Sequence, residues 1–193
     1  MKKVLVVVDV QKDFYHPDGA LYVKGGEVLP EKIAKVIPQF DDVIFTVDWH
    51  PYNHCSFKEN GGIWPVHCVQ HTVGASLPAE FMQFLKTGKV INKGTSFHEE
   101  EYGANPMSLV KSCCYRSDEE YEMVFCGIAG DYCIRETIEN VIIGKKAVKF
   151  YCFGDFYPSK ISVYLDGVAS IDDGTTIREF MRENNIEEWK SQE

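Results

Sequence analysis

The chain has 193 residues, of which 45% are hydrophobic and 13% aromatic. These values predict one domain, residues 1–193, with a packed core, and argue against disorder. A net charge of −9 without a long Lys/Arg cluster argues against nucleic acid as a partner. The apolar run at residues 4–8 is too short for a secretory signal, and no stretch reaches membrane-spanning length. Seven cysteines without the spacing of a disulfide framework favour a reducing cytoplasm.

Short runs of apolar, mostly β-branched residues predict strands that are buried on both faces of a sheet. In chain order these runs are residues 4–8, 43–47, 90–91, 124–128 and 161–165, with 147–153 as a further candidate. Helical spacing of apolar residues between them predicts helices at residues 30–40, 77–86, 133–143 and 175–184. The alternation predicts an α/β fold, a three-layer α/β/α sandwich around a mostly parallel, Rossmann-like sheet.

Reactive side chains follow four of the predicted strands. Asp9 and Asp48 come directly after the first two, Lys93 follows the third and Cys133 follows the fourth after a short turn. Each has a common structural explanation by itself, because Asp often forms turns and Lys is usually solvated. Four such side chains at strand ends point instead to one ligand site, because ligands bind beyond the carboxyl ends of parallel strands.

Cys133 lies where a buried strand is predicted to pass into a helix, after Gly127-Ile128-Ala129-Gly130-Asp131-Tyr132. The positive end of a helix dipole favours a thiolate at that position. Backbone N–H groups that are free in the same turn can receive a negatively charged oxygen. This combination predicts acyl transfer through a nucleophilic cysteine.

A second group of polar residues indicates a metal site. Asp48 and His50 are two apart on an extended segment and point to one side, and His67 from the next loop can close the site. Such ligands suit Zn²⁺, Fe²⁺ or Mn²⁺, and their spacing does not choose among these ions. For an isolated Asp-x-His pair, histidines that cap loops or line a core are the commoner explanation.

Together, the motifs resemble the nicotinamidase/pyrazinamidase branch of the isochorismatase-like cysteine hydrolases. They follow the family order: Asp9-Val10-Gln11-Lys12-Asp13-Phe14, Asp48-Trp49-His50-Pro51 with His54, Trp64-Pro65-Val66-His67-Cys68-Val69, Asn92-Lys93-Gly94, Gly127-Ile128-Ala129-Gly130-Asp131-Tyr132-Cys133-Ile134 and Asp172-Asp173-Gly174-Thr175-Thr176. The chain departs from the family at Gly130, where the family usually has Thr, and this departure is expected to loosen the turn.

The resemblance implies the isochorismatase-like hydrolase fold and a metal-dependent amidase that converts nicotinamide to nicotinate and ammonia in NAD salvage, with pyrazinamide as a further substrate. Cys133 would form a thioester, Asp9 would transfer protons and Lys93 would stabilise both anions. The backbone N–H groups of Ala129 and Cys133 would bind the oxyanion, with a cis peptide before Ala129.

The resemblance also implies one divalent metal, with Zn²⁺ the first choice and Fe²⁺ or Mn²⁺ as alternatives. Asp48, His50 and His67 would hold this ion, with His54 as a further ligand, and the ion would bind the pyridine nitrogen. Phe14 and Trp64 would sandwich the ring.

Two other functions stay open at this point. One is a metal-free amidase of the same superfamily that acts on a non-pyridine small amide. The other is a catalytically silent protein that binds metals or thiols. A small-molecule partner is expected in either enzymatic case, and a homo-oligomer is compatible with all three functions.

Overall fold

The computed structural model describes residues 1–113, 119–148 and 156–192. Its centre is a sheet of six strands: β1 (Lys2–Val8), β2 (Asp42–Asp48), β3 (Lys89–Lys93), β4 (Tyr121–Ile128), β5 (Lys160–Ala169) and β6 (Glu187–Glu188). The spatial order is β3-β2-β1-β4-β5-β6, and every pairing is parallel. The carboxyl ends of β1 to β4 therefore share one edge of the sheet.

All five predicted runs at residues 4–8, 43–47, 90–91, 124–128 and 161–165 lie inside observed strands. The central strands are buried on both faces, and all eight residues of β4 are buried. This explains why these strands read as continuous apolar runs and do not alternate. The two-residue edge strand β6 has no apolar signal and was not predicted.

The helices are α1 (Lys12–Tyr15), α2 (Leu29–Val36), α3 (Pro106–Cys113), α4 (Arg135–Val148) and α5 (Thr175–Glu183). The helix predicted at 30–40 corresponds to α2 and a following 3₁₀ turn, that at 133–143 to α4, and that at 175–184 to α5. One face of the sheet packs against α2, and the other packs against α3, α4 and α5. The predicted α/β/α sandwich is confirmed.

The helix predicted at residues 77–86 is wrong. This segment contains a 3₁₀ turn at Ala79–Phe81 and further tight turns, such as the bond from Phe84 N–H to the Phe81 carbonyl (2.9 Å). Its apolar side chains, including the fully buried Phe81, pack into the core without a regular helix. Tertiary packing here outweighs local periodicity.

The helix α3 was missed, although its start carries a recognisable signal. Asn105 Oδ1 accepts hydrogen bonds from the N–H groups of Met107 (3.0 Å) and Ser108 (3.1 Å), and Pro106 is the first helical residue. Asn before Pro is a common way to begin a helix. Of the strand candidate at 147–153, the first two residues belong to α4, and residues 149–153 lie outside the described part of the chain.

No helix within residues 1–113, 119–148 and 156–192 is long and apolar enough to cross a membrane.

Candidate active site

The first strand ends at a completely buried carboxylate, Asp9. Its backbone φ is +49°, in the left-handed region, so the chain turns sharply away from the sheet at this residue. Thr46 Oγ1 on β2 donates to Asp9 Oδ1 at 2.7 Å. Asp9 Oδ2 lies 2.8 Å from Lys93 Nζ and accepts no well-aligned hydrogen bond from the described residues. One carboxylate oxygen of Asp9 is thus held by Thr46, and the other faces Lys93.

Lys93 brings a positive charge to the same point from the end of β3. Its side chain is 2% exposed, and its ammonium forms an ion pair with Asp9 and a short contact with Asp48 Oδ1. Burial disfavours the ammonium, but Asp48 and Asp9 together raise the pKa of Lys93 well above its ordinary value. Lys93 is therefore a fixed cation.

Cys133 completes this group. It belongs to a π-helical turn, Gly130–Ile134, that precedes α4, and its Sγ lies 3.8 Å from Lys93 Nζ. Burial raises the pKa of the thiol well above its usual value, although the Lys93 ammonium opposes the shift. Burial thus opposes the thiolate that the helix dipole is expected to favour, so the thiol needs a base.

Asp9 has the properties of that base. Burial raises the pKa of its carboxyl group to about 6, with Lys93 opposing the shift. A carboxylate of this pKa is ionised at neutral pH and is a better proton acceptor than an exposed Asp.

The turn that carries Cys133 is fixed by its backbone and by Asp131. The Ile128–Ala129 peptide is cis, and the Ala129 carbonyl accepts from the N–H groups of Tyr132 (3.2 Å) and Ile134 (3.0 Å). Asp131 accepts backbone N–H groups from Ile171 and Asp172, both at 3.0 Å, and so joins this turn to the loop before α5.

Gly130 has a packing role in the same turn. A Cβ atom at this position would lie 2.4 Å from Ser170 Oγ and 2.9 Å from Val168 Cγ1. Val168 in β5 and Ser170 just after β5 therefore fill the space that a Thr side chain would need.

Asp48, His50 and His67 form a buried cluster beside Lys93. His50 Nε2 lies 3.5 Å from Asp48 Oδ2, and His67 Nε2 lies 3.9 Å from the same oxygen. The Nδ1 atom of His50 is 2.9 Å from the Gly94 carbonyl, and that of His67 is 2.8 Å from the Pro65 carbonyl. Since a carbonyl can only accept, each Nδ1 carries a proton, which leaves Nε2 as the ligand atom.

This cluster fits a divalent transition metal. Its three ligand atoms lie within 4.8 Å of one another, and two nitrogens with one carboxylate oxygen are typical ligands for such an ion. Burial would raise the pKa of Asp48, but Lys93 and the two histidines hold it below its ordinary value, so Asp48 stays ionised. Burial lowers the pKa of His67, which favours the neutral, ligating form.

The structure does not bring His54 into this cluster. His54 Nδ1 lies 2.7 Å from Ser56 Oγ, and Nε2 lies 3.0 Å from the Glu99 carbonyl. Its ring instead stacks on His50 (centroids 4.0 Å apart) and belongs to a second group of potential ligands with His50 and Glu100.

A pocket opens onto both clusters. The walls include Phe14 and Trp64, together with Cys133, Ala129, Asp48 and His67. Trp64 Nε1 donates to the Tyr102 hydroxyl at 2.9 Å, which fixes the orientation of the indole ring.

Several site residues were missed in the sequence. Gln11 and Thr46 are polar residues buried at the strand ends, and Glu100, Tyr132 and Ile171 line the pocket. Gln11 belongs to the first family-like motif, and Tyr132 is next to Cys133, so their positions carried a usable signal. Glu100 and Ile171 come from irregular loops, whose paths periodicity does not define.

A parallel α/β/α fold with a buried Cys-Asp-Lys cluster at the carboxyl ends of its strands is typical of hydrolases that act through cysteine. No protein-family model matches the chain. Nicotinamidase from Saccharomyces cerevisiae is 31% identical in an alignment that covers 70% of this chain and 79% of the yeast protein.

Two solved structures are also similar. A pyrazinamidase of Pyrococcus horikoshii, solved in complex with zinc, superposes with a TM-score of 0.75 at 28% identity, covering 98% of this chain and 99% of that one. PnC1 from L. infantum, solved in complex with nicotinate, gives a TM-score of 0.76 at 29% identity, covering 98% and 92%. The chain therefore belongs to the nicotinamidase family, which confirms the resemblance of its motifs.

Proposed function

We propose that this protein is an amidohydrolase that converts nicotinamide to nicotinate and ammonia, with pyrazinamide as a further substrate. Its family membership and the names of its relatives support this function. The observation that carries the proposal is that the Asp9–Lys93–Cys133 cluster and the Asp48–His50–His67 cluster meet at one pocket with aromatic walls.

In the first half of the reaction, Cys133 Sγ attacks the carboxamide carbon while its proton passes to Asp9. Asp9 then gives this proton to the amide nitrogen, and ammonia leaves with the electron pair of the C–N bond. The product of this half is a thioester on Cys133. Lys93 stabilises the anions of Asp9 and Cys133 at short range.

In the second half, Asp9 takes a proton from water, and the resulting hydroxide attacks the thioester carbon. The C–S bond breaks, Asp9 returns its proton to the sulfur, and the product acid loses its own proton and leaves as nicotinate. The backbone N–H groups of Ala129 and Cys133 are assigned to the oxyanion in both halves, because Cys133 lies in the turn Gly130–Ile134 and Ala129 directly precedes this turn.

The protein would hold a divalent metal, with zinc as the first choice, through Asp48, His50 and His67. When bound, this ion would supply a Lewis acid for the pyridine nitrogen. His54 is a weaker candidate as a ligand, because both of its ring nitrogens already have partners.

Phe14 and Trp64 are assigned to the faces of the substrate ring. Phe14 is 6% exposed, and its ring centroid lies 5.4 Å from that of His67, so it connects the metal cluster to the pocket wall. Aromatic side chains on a pocket wall favour a flat heteroaromatic ligand.

The experiment is ammonia release from nicotinamide, pyrazinamide and a panel of aliphatic amides, with metal analysis on the same sample. We expect turnover of the two aromatic amides, one metal ion per chain, and loss of that metal in His50→Ala. Full nicotinamide turnover without metal would contradict the metal assignment. Preference for aliphatic amides would favour an amidase for non-pyridine substrates, and no turnover of any amide would favour a silent binding protein.

A further inference from the structure

The neighbouring strands β1 and β2 differ in where they end beside the metal cluster. The register of β1 with β2 ends at Val8 opposite Thr46, and β1 then turns away at Asp9. β2 continues for two more residues to Asp48. The backbone of Asp48 therefore lies beyond the last residue of β1 that could pair with it.

The side chain of Gln11 takes the place of the missing strand. Its Oε1 accepts from the Asp48 N–H at 2.7 Å, and its Nε2 donates to the Asp48 carbonyl at 2.7 Å. The same Nε2 donates to the Ala75 carbonyl at 3.0 Å. Gln11 is completely buried, so water does not compete for these bonds. A side-chain amide can do this because it carries the donor and acceptor of a peptide group.

Asp13, two residues further on, holds the loop that carries His67. Its Oδ2 accepts from the N–H of Cys68 at 2.7 Å, and its Oδ1 accepts from Ala20 at 3.2 Å. Cys68 follows His67 directly and has a backbone φ of +45°, an uncommon conformation that needs such support. A Cβ at Gly74 would lie 2.1 Å from Asp13 Oδ2, so the carboxylate is closely enclosed.

Asp48 has two tasks that need an exact position. One carboxylate oxygen contacts Lys93, and the other faces both histidines. We propose that Gln11 and Asp13 are positioning residues for the metal site, Gln11 for Asp48 and Asp13 for His67. This assignment rests on the proposed function, and it gives a role to two motif residues that the reaction itself does not use.

A purely structural role for the same residues predicts loss of stability without a change in metal binding, so the test measures metal affinity. The metal-free protein is titrated with Co²⁺ against a competing chelator, and the visible spectrum of bound Co²⁺ reports the ligand geometry. The variants are Gln11→Met, which keeps the size but not the bonds, and Asp13→Asn, which removes one of the two acceptor oxygens. The matched control is Ser162→Ala, which removes another buried hydrogen bond, to Glu122 (2.6 Å), near the start of β5.

We expect Gln11→Met to bind Co²⁺ about 10- to 100-fold more weakly than wild type, with an altered spectrum. For Asp13→Asn we expect a smaller loss of affinity, of about 10-fold. Ser162→Ala should bind like wild type, even where its unfolding temperature is lower. If Gln11→Met does not fold, Gln11→Asn gives the same comparison, because its amide is one methylene too short to pair with Asp48.

A folded variant that binds Co²⁺ as wild type does, with the same spectrum, overturns the assignment of that residue. Wild-type protein that binds no Co²⁺ would instead contradict the metal site of the proposed function. The two failures are therefore distinguishable.

Discussion

At the scale of single residues, the charge balance around Cys133 depends on Lys93. The ammonium lies 2.8 Å from Asp9, contacts Asp48 and stands 3.8 Å from the thiol. Burial raises the pKa of the Cys133 thiol, and Lys93 is the group that opposes this shift. A thiol in this position becomes a nucleophile only if a base removes its proton while a cation stabilises the product.

Removal of this cation should change the reactivity of the thiol. In Lys93→Ala the thiolate loses a stabilising charge, so the pKa of Cys133 should rise and alkylation by iodoacetamide should require a higher pH. Lys93→Arg keeps the charge and should shift the profile less. The measurement is the alkylation rate of the Cys133 peptide against pH, by mass spectrometry.

The control for this measurement is Lys35→Ala, which removes an exposed lysine that pairs with Glu31 on the surface of α2. It should leave the profile unchanged. An unchanged profile in Lys93→Ala would show that Lys93 is not coupled to the thiol, and its assigned role would then be wrong.

The catalytic candidates could be predicted because their positions follow from the sheet. Asp9, Asp48 and Lys93 each end or directly follow an apolar strand, and parallel strands bring such ends together. The burial of Cys133, which opposes its ionisation, could not be predicted, because it depends on residues that are distant in sequence and belong to the same core cluster.

At the scale of elements, the turn Gly130–Ile134 depends on contacts with β5 and α5. Ser170 Oγ is buried without a hydrogen-bond partner among the described residues, and it occupies the space next to Gly130. The replacement of Thr by Gly relative to the family therefore does not leave an empty space in the turn.

Gly130→Ala should destabilise the protein by about 1–3 kcal/mol, because the added methyl group would overlap Ser170 Oγ and approach Val168. In a Ser170→Ala background the same change should cost less, because the shorter side chain removes the closest contact. The measurement is the free energy of unfolding in urea for the four proteins of this double-mutant cycle. Equal costs in both backgrounds would contradict the packing role of Ser170.

Element prediction succeeded where one physical signal dominated. The buried strands and α5 have strong apolar patterns, and the Asp172–Thr176 segment before and at the start of α5 forms its cap, with Asp172 accepting the Thr176 N–H at 2.9 Å. The helix prediction for residues 77–86 was wrong, because the apolar side chains of this segment pack into the core from a series of tight turns. The loops that carry His54 and Glu100 lack a periodic pattern of apolar residues from which their conformation could be predicted. The contact between the rings of His54 and His50 was therefore not predictable.

At the scale of the whole molecule, strand order explains why residues far apart in sequence meet. β1 lies between β2 and β4, and β3 lies beyond β2, so Asp9 stands next to both the metal cluster and the Cys133 turn. The predicted α/β/α fold follows from the alternation of elements. A single domain over residues 1–193 and a homo-oligomer stay predictions.

The central claim is that amide hydrolysis proceeds through Cys133. The most direct test is ammonia release from nicotinamide by wild type, Cys133→Ala and Cys126→Ala, measured at equal metal content. Cys126 is a matched control, because it is a fully buried thiol in β4 whose pKa burial also raises. We expect Cys126→Ala to keep most of its activity and folded Cys133→Ala to lose about 1,000-fold or more. Folded Cys133→Ala that still turns over nicotinamide at a rate near wild type would contradict the mechanism.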